Sequence, residues 1–423
     1  MKNESKDISD KYYRKVAFPK ILHKSWRKVF SNGIMSTSPI TRRGVEDFSK
    51  IAPKKIEEIK KLLMRERFVF QKAKGIPIHR EGKSHRPIVV SPIENRIVQR
   101  SILNVLHGDN SLVQYFDTPT SFGGIENKSV KDAVTMIHDK IIRGAFYYIR
   151  SDIKNFFTKI PREDVLKNIE NNILINDQKF MTLLRKAVTI ELDNLNELKG
   201  LEDLFPIHEE GVAQGSCLSP LFGNIFLKEF DDITNSHDVT CVRFVDDFVI
   251  VGPSEKAIKA KFKLGLEFLN KYGLEAYDPF TDTNKAGIGE IKKGFEFLGC
   301  KISPHRISPS KESVGRIKKK INNRIEKAKL EMQSPRFNSD NFVRALYDAN
   351  NILKGWGNSY QFCNDKNLLT SIDDEIDLII KSFFSYYEKT KKTMRKSSDF
   401  RRMLGVHLLT DSKAEPIIKG NEE

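Results

Sequence analysis

The sequence predicts an α+β protein, in which short hairpins alternate with amphipathic helices and the last third is helical. Hairpins are indicated at residues 78–90, 241–251 and 295–302, because runs rich in β-branched and aromatic residues flank a turn there. From Lys311 onward, apolar residues recur at helical spacing within long, basic segments. Together these features place the chain in the α+β class.

Composition sets limits on what the protein does. Of its 423 residues, 39% are hydrophobic, which is enough for two or three packed regions. A net charge of +16 indicates a polyanionic partner, because such an excess attracts phosphate over long distances. No apolar run reaches the length of a membrane span and the start of the chain is polar, so we expect no membrane contact and a cytoplasmic location.

The cysteines give no sign of a zinc site or of a disulfide framework, because they are far apart in the chain. We expect them to be small core residues. They are Cys217, Cys241, Cys300 and Cys363.

Helices are predicted around the hairpins. Helical spacing of apolar residues occurs at 45–68, 94–107, 129–142, 164–195, 221–230 and 255–271, and in the basic segments 311–332, 342–362 and 372–387. The first of these is interrupted by Pro53, and the tail after Arg402 is expected to be frayed.

The stretch from Cys241 to Val251 carries two adjacent acids, Asp246 and Asp247, at the expected turn of a buried hairpin, with Arg243 as its one basic residue. Carboxylates held together near a core repel each other unless a cation lies between them, which indicates a metal site. Neighbouring strand residues point to opposite faces, so only one acid can point fully into one site. The alternative is an ordinary turn, where acids are common.

The expected hairpin at residues 78–90 is basic at its tip. Arg80, Lys83 and Arg86 lie close together there, and guanidinium groups suit bidentate phosphate contacts. The hairpin is therefore either a phosphate clamp or a solvated tip, because charged runs are usually just solvated.

Two further segments carry candidate chemistry. Asp152 follows a short hydrophobic strand, so it is either a catalytic acid at a strand end or the N-cap of a helix. Residues 211–220 place glycines and Gln214 ahead of an apolar helix. Such a loop lets backbone approach a nucleotide, or it is an ordinary loop with Pro220 in the first helical turn.

The last third of the chain combines cations with aromatic residues. A basic helical region of this kind is either a nucleic-acid cradle or a soluble helical bundle. The residues that would contact nucleic acid are Lys318, Lys319, Lys320, Arg324, Lys327 and Trp356.

Taken together and in this order, four motifs resemble the reverse transcriptase family over most of residues 75–300. Asp152 and its surroundings resemble the first palm motif, and residues 211–220 resemble the template and nucleotide loop. Phe244 to Asp247 is similar to the paired-aspartate motif, and Phe297 to Gly299 is similar to the primer grip. Four motifs in the correct order are far more specific than any one of them.

The resemblance implies a right-hand polymerase with fingers, a palm built on an antiparallel sheet with helices, and an α-helical thumb. We accordingly expect an N-terminal helical extension at residues 1–70, fingers and palm at 71–300, and a basic thumb at 301–423.

The resemblance also implies a set of site residues. Primer extension is in-line attack of a 3′-hydroxyl on the α-phosphate of a nucleotide, stabilised by two Mg²⁺ ions or by Mn²⁺ in their place. The implied metal ligands are Asp152, Asp246, Asp247 and the carbonyl of Ile153, since hard cations prefer oxygen. The implied nucleotide-binding residues are Arg80, Arg86, Gln214, Gly215, Phe157 as the steric gate against a ribose 2′-hydroxyl, and Lys285 as the proton donor to pyrophosphate. The implied primer grip is Phe297, Leu298 and Gly299.

Some positions depart from the family pattern. Ala213 stands where many members have Pro, and Phe244 and Val245 replace the commoner Tyr and Ala. None of these is a metal ligand, so pocket shape and template preference are affected rather than activity. The thumb has no Val-Thr-Gly tripeptide of the retron type, and residues 352–360 instead resemble the thumb of group II intron reverse transcriptases.

We therefore expect an RNA-directed DNA polymerase that takes an RNA template and deoxynucleotides and makes DNA. Without the DNA-binding and nuclease regions of group II intron enzymes, the chain most resembles the stand-alone bacterial reverse transcriptases of phage defence, which copy a partner noncoding RNA. Three alternatives stay open: a mobile-element enzyme such as an intron maturase, a non-catalytic RNA-binding scaffold, and an RNA-dependent RNA polymerase, which Phe157 disfavours.

Overall fold

The computed structural model describes residues 10–36, 38–80, 83–173, 177–207, 209–333, 341–394 and 397–411, without the side chains of residues 80, 83, 84, 111, 116 and 173. The chain divides into two compact units, Met1–Glu290 and Ile291–Glu423. In the part of the chain so described, no helix is long and apolar enough to cross a membrane.

The first unit is mixed helix and sheet. Its helices are α1 (Lys11–Val16), α2 (Pro19–Ile34), α3 (Pro39–Ser49), α4 (Ala52–Met64), α5 (Ile93–His107), α6 (Asn110–Phe116), α7 (Val130–Ile142), α8 (Phe156–Lys159), α9 (Arg162–Ile173), α10 (Gln178–Val188), α11 (Ser219–Phe226), α12 (Lys228–Thr234) and α13 (Glu255–Lys271). Its strands are β1 (Lys74–Arg80), β2 (Lys83–Val90), β3 (Tyr147–Asp152), β4 (Thr240–Phe244), β5 (Asp247–Gly252) and β6 (Gly287–Glu290).

The central sheet of this unit is antiparallel, with the strand order β4-β5-β3-β6. Its strands form where the sequence is rich in β-branched and aromatic residues, which fit a pleated, buried surface. Phe248 to Val251 of β5 are each at most 1% exposed, and α13 packs on β3 and β5. The predicted hairpins at 78–90 and 241–251 are confirmed as β1-β2 and β4-β5.

Several helix boundaries differ from the prediction. Residues 164–195 hold two helices, α9 and α10, and residues 221–230 are divided between α11 and α12. Asp177 begins α10, because its buried carboxylate accepts the backbone N–H of Phe180 at 2.9 Å. The same carboxylate accepts the backbone N–H groups of Tyr12 and Tyr13, both at 2.9 Å. The spacing of apolar residues cannot predict contacts between residues so distant in the chain.

The second unit combines a three-stranded antiparallel sheet with long helices. Its strands are β7 (Phe295–Phe297), β8 (Cys300–Ser303) and β9 (Arg306–Pro309), and its helices are α14 (Lys311–Met332), α15 (Phe342–Tyr360), α16 (Lys366–Thr393) and α17 (Ser397–Leu404). α16 is longer than the predicted 372–387. The predicted fraying directly after Arg402 is wrong, because Arg402 Nε donates to Asp411 Oδ2 at 3.0 Å and holds that segment. Residues 412–423 lie outside the described part.

A buried ion pair connects the central hairpin to the helices behind it. Arg243 of β4 is 0% exposed and donates to both carboxylate oxygens of Asp231 on α12, each at 2.6 Å. The same guanidinium group donates to Asn224 Oδ1 and to the carbonyl oxygen of Val245, each at 3.0 Å. Arg243 therefore ties the turn of the hairpin to α11 and α12.

Replacing Arg243 with Met is expected to lower the free energy of unfolding by about 3–5 kcal/mol, because Asp231 is then buried without its counter-charge. Urea unfolding followed by circular dichroism measures the loss. Lys228→Met, which removes the cation of the surface pair with Asp232, is the control and should cost less than about 1 kcal/mol. The double variant Arg243→Met with Asp231→Leu should regain most of the loss, and equal instability of single and double variants would contradict this account.

Candidate active site

Three acidic residues come together at one end of the central sheet. Asp152 ends β3 directly opposite Asp247, the first residue of β5. Asp246 stands in the turn before β5, and its carbonyl oxygen accepts the N–H of Ile153 at 3.2 Å. Asp152 is not a helix cap, because the N-cap of α8 is Asn155. The register of two neighbouring strands is what unites acids that are far apart in the sequence.

Burial and like charge make Asp246 and Asp247 hard to ionise. The pKa of Asp246 is raised to about 7, first because burial removes water from its carboxyl group and then because Asp152 and Asp247 are negative and close. The pKa of Asp247 is raised to about 6 by desolvation and by the charge of Asp152. Arg243, the one basic residue of the hairpin, is engaged with Asp231. A cation from outside the hairpin would therefore stabilise the ionised form of these acids.

Asp152 has one occupied and one orphaned carboxylate oxygen. Its Oδ2 accepts from Lys285 Nζ at 3.0 Å, and its Oδ1 is buried with no hydrogen-bond partner among the described residues. In the same part of the chain, the carbonyl oxygen of Ile153 receives no hydrogen bond. Orphaned oxygens beside two acids of raised pKa form a donor set that fits a hard divalent cation.

The protein does not complete a metal site by itself. No three His, Cys, Asp or Glu side chains of the described residues are grouped closely enough to hold a metal ion. Mg²⁺ does not need three protein side chains, because it keeps several waters and is usually bound through one or two carboxylates plus substrate phosphates. The ligand set of Asp152, Ile153, Asp246 and Asp247 stays a prediction.

The turn that carries Asp246 is strained. Val245 has a φ of 65°, in the left-handed region that β-branched residues rarely adopt, at a cost of about 1–3 kcal/mol. Gly123 lies against this turn, since a Cβ on it would come within 2.4 Å of Val245 N. Phe122 donates its N–H to the carbonyl of Arg243 at 2.9 Å, so this segment runs alongside β4. The neighbouring backbone and Arg243 together hold the turn in place.

The β1-β2 hairpin meets the loop ahead of α11. Arg86 Nε donates to Gln214 Oε1 at 3.2 Å, and Val89 donates its N–H to the carbonyl of Gln214 at 2.8 Å. Gly215 has a φ of 119°, and a Cβ there would approach the carbonyl oxygen of Val89 to 2.7 Å, so only glycine fits. The side chain of Arg80 lies outside the described part.

The steric-gate candidate is attached to the same loop. The carbonyl of Phe157 accepts the N–H of Val212 at 2.7 Å, and its ring is 5.4 Å from that of Phe156. Lys285 lies beside Asp152, and although partial burial opposes it, the hydrogen bond to Asp152 raises the pKa of Lys285. The first unit thus brings Arg86 to Gln214, Phe157 to the loop ahead of α11 and Lys285 to the acids.

The primer-grip candidates form a tight turn in the second unit. Leu298 and Gly299 join β7 to β8 with φ angles of 49° and 76°. Two positive φ values in a two-residue loop define a type I′ turn, which suits the twist of paired strands. Phe297 ends β7 and is 6% exposed.

The basic residues of α14 do not form one surface. Lys320 and Arg324 join Trp356 in lining a groove of about 720 Å³ in the second unit, whereas Lys318, Lys319 and Lys327 are not among its lining residues. Arg324 Nε pairs with Asp348 at 2.8 Å, and Lys318 pairs with Glu375. Much of this charge is therefore neutralised within the unit.

The residues that hold the turn of Asp246 in place were not predicted from the sequence. The buried Arg243, its partners Asp231 and Asn224, and the close approach of Gly123 were not anticipated in these roles. One signal was present, because a single cation within a run of strand-forming hydrophobic residues has to be buried with a partner.

Fold and site together define a polymerase palm, and comparison with known proteins gives the family. The description "Reverse transcriptase (RNA-dependent DNA polymerase)" matches residues 78–302, more than half of the chain. The chain belongs to this family. The expected α+β polymerase fold and the expected enzyme class, RNA-directed DNA polymerase, are confirmed at the level of the family.

Individual relatives are distant. An uncharacterized 91 kDa protein in the cob intron of Schizosaccharomyces pombe is 27% identical, over 42% of this chain and 20% of that protein. The group II intron-encoded protein LtrA of Lactococcus lactis is 25% identical, over 54% of this chain and 36% of that protein. The chain therefore spans well under two thirds of the length of either relative.

Among solved structures, telomerase from Candida albicans in complex with a fragment of telomeric RNA is similar at a TM-score of 0.43. The identity is 14%, and the similarity covers 83% of this chain and 64% of that chain.

Asp246→Asn is expected to stabilise the metal-free protein at pH 8 by about 1–2 kcal/mol, because asparagine removes a charge that the fold disfavours. The folded pKa of about 7 lies above the unfolded value, so the stability from this group is lost as pH rises from about 4 through 7. The gain should shrink towards pH 5. Melting temperatures in EDTA across this range measure it, and Asp139→Asn on the exposed face of α7 is the control, which should show no such pH dependence.

Proposed function

We propose that this protein catalyses RNA-directed DNA synthesis by extending a primer with deoxynucleotides. The observation that supports this best is the β3-β5 register, which sets Asp152 opposite Asp247 and beside Asp246 within a reverse transcriptase domain. A scaffold protein has no need of Asp246 and Asp247 with pKa values raised by burial and by neighbouring carboxylates, whereas nucleotidyl transfer on a cation does.

In this proposal, Asp152 and Asp246 are the principal metal ligands, with Asp247 close by and the carbonyl of Ile153 as an additional donor. Two Mg²⁺ ions would stabilise the attacking and leaving oxygens. The orphaned Oδ1 of Asp152 supports its role, because a buried carboxylate oxygen without a donor is otherwise unfavourable.

The other residues would act on the nucleotide. Arg86 and Arg80 hold the triphosphate, with Gln214 and Gly215 lining the pocket. Lys285 would donate a proton to the leaving pyrophosphate, a role that needs the protonated ammonium group that lysine has at neutral pH. In the second unit, Phe297, Leu298 and Gly299 would position the primer, and the cations of α14 with Trp356 would bind the template duplex.

The biological role is proposed from the family resemblance. We propose that the template is a dedicated noncoding RNA and that the DNA product serves antiviral defence, on the resemblance of the sequence to stand-alone defence enzymes. The intron-encoded relatives favour a second candidate, a mobile-element enzyme. Sequencing the RNA that co-purifies with the protein separates the two, because an intron enzyme should carry its own intron RNA.

Asp246→Ala is expected to abolish incorporation of labelled deoxynucleotides on a primed RNA template in Mg²⁺. Loss of a metal ligand should reduce the rate by at least about 1,000-fold. Asp139→Ala, an exposed acid of α7, should retain wild-type activity. Equal DNA synthesis by the Asp246 variant and wild type would rule out this site, and no synthesis by any of them would favour the RNA-binding scaffold.

Phe157→Val is expected to raise ribonucleotide incorporation relative to deoxynucleotide incorporation by about tenfold or more, because the smaller side chain leaves room for the 2′-hydroxyl. The ratio of kcat/KM for the two nucleotide types measures it. Phe156→Leu is a control on the neighbouring, fully buried ring and should leave the ratio unchanged even if it lowers stability. An unaltered ratio in the Phe157 variant would remove this residue from the pocket.

A further inference from the structure

A cationic groove lies in the first unit between α2 and α5. It has a volume of about 270 Å³ and is lined by Lys24, Arg27, Lys28, Ser31, Arg100, Asn104 and Glu126. The residues from α2 recur at intervals of three or four, so they share one face of that helix. Its other face is buried through Leu22, Ser25 and Val29. We call this site the α2-α5 groove.

The groove is built on a fixed helix pair. Ser25 of α2 accepts hydrogen bonds from Ser101 and Asn104 of α5, each at 2.9 Å. Ser25 and Ser101 are both 0% exposed, so this polar contact lies in the packed interface. The two helices that carry the cations are therefore held against each other without a bound ligand.

The cations of the groove have no protein partner. Within the described part of the chain, the side chains of Lys24, Arg27, Lys28 and Arg100 make no ion pair and no hydrogen bond. Arg100 Nε is buried in this unpartnered state, which is unfavourable unless an acceptor from outside arrives. Glu126 is the one acid of the lining, and its side chain is 68% exposed.

Several other cations of the described residues have partners within the protein. On the nearby helix α4, Lys55 pairs with Glu58 at 3.0 Å. In the second unit, Arg316 pairs with Glu312 and Arg324 with Asp348, at 2.7 and 2.8 Å. The cations of the α2-α5 groove differ from these in keeping their charge available for an anion from outside.

We propose that the α2-α5 groove binds successive phosphates of a single RNA strand, outside the polymerase site. Guanidinium and ammonium groups around a cavity recognise phosphate oxygens, and Asn104, whose amide gives one N–H to Ser25, has a second N–H to offer. The described lining contains no aromatic ring on which a base could stack, so binding is independent of sequence. The identity of the strand as RNA rests on the proposed function, whereas the phosphate chemistry does not.

The test is RNA binding by the full chain as a function of salt. The probe is a fluorescent single-stranded RNA of about 20 nucleotides, in a mixed sequence and as oligouridine, and fluorescence anisotropy gives Kd. The combined variant Lys24→Gln, Arg27→Gln, Lys28→Gln should flatten the slope of log Kd against log salt by about 2, at roughly 0.7 per lost contact, and weaken binding about 10- to 100-fold. Both RNAs should respond equally.

A matched control removes the same charges elsewhere. Lys54→Gln, Lys61→Gln, Arg65→Gln takes two lysines and one arginine from exposed positions at α4 and should barely change the slope. Equal flattening by both combined variants would overturn the proposal, because net charge alone would then explain binding. Should the groove variant not fold, Lys28→Gln alone is expected to change the slope by about 0.7.

Two further arms separate the possible failures. If tripolyphosphate binding depends on the groove and RNA binding does not, the site takes a free polyphosphate and the RNA assignment is wrong. Failure of the proposed function would appear instead as absence of DNA synthesis by wild type, while groove-dependent RNA binding could still be measured.

Discussion

The structure depends on holding negative carboxylates together at the end of a sheet. Burial and the neighbouring carboxylates raise the pKa values of Asp246 and Asp247, and Val245 between the strands is strained. Neither the clustered acids nor the strained residue favours folding, so other parts of the first unit have to supply the stability. The well-buried strands β3 and β5, with α13 packed on them, supply that stability and fix the register of the acids.

Arg243 shows how this compensation is arranged. A buried ion pair is weak evidence for stability by itself, because desolvating two charges is expensive. Its value here is geometric, since the same guanidinium group reaches Asp231, Asn224 and the carbonyl of the strained Val245. The cation nearest Asp246 and Asp247 in sequence therefore positions their backbone instead of neutralising their charge. That leaves the acids free to attract a metal ion.

The sequence was sufficient for the class, the hairpins and the family, because β-branched runs and helical periodicity are local signals and four motifs occur in family order. The boundaries of helices and the conformation of turns were harder to predict. The break at Asp177 depends on Tyr12 and Tyr13, and the turn at Val245 depends on Gly123, which are contacts between residues distant in the chain. No sequence motif indicated the α2-α5 groove, because Lys24 and Arg100 lie far apart in the chain and become neighbours only when α2 packs on α5.

The distribution of charge over the protein affects how it can hold a polyanion. Residues that repel each other at the palm attract cations and also repel the phosphates of a template, so a polyanion needs compensating contacts away from the acids. Cations that already have an internal partner, such as Arg324 with Asp348, contribute less to this than unpaired ones. Lys24, Arg27, Lys28 and Arg100 keep their full charge available on a rigid helix pair. Retaining an RNA strand there would keep template near the enzyme between catalytic events without adding charge to the palm itself.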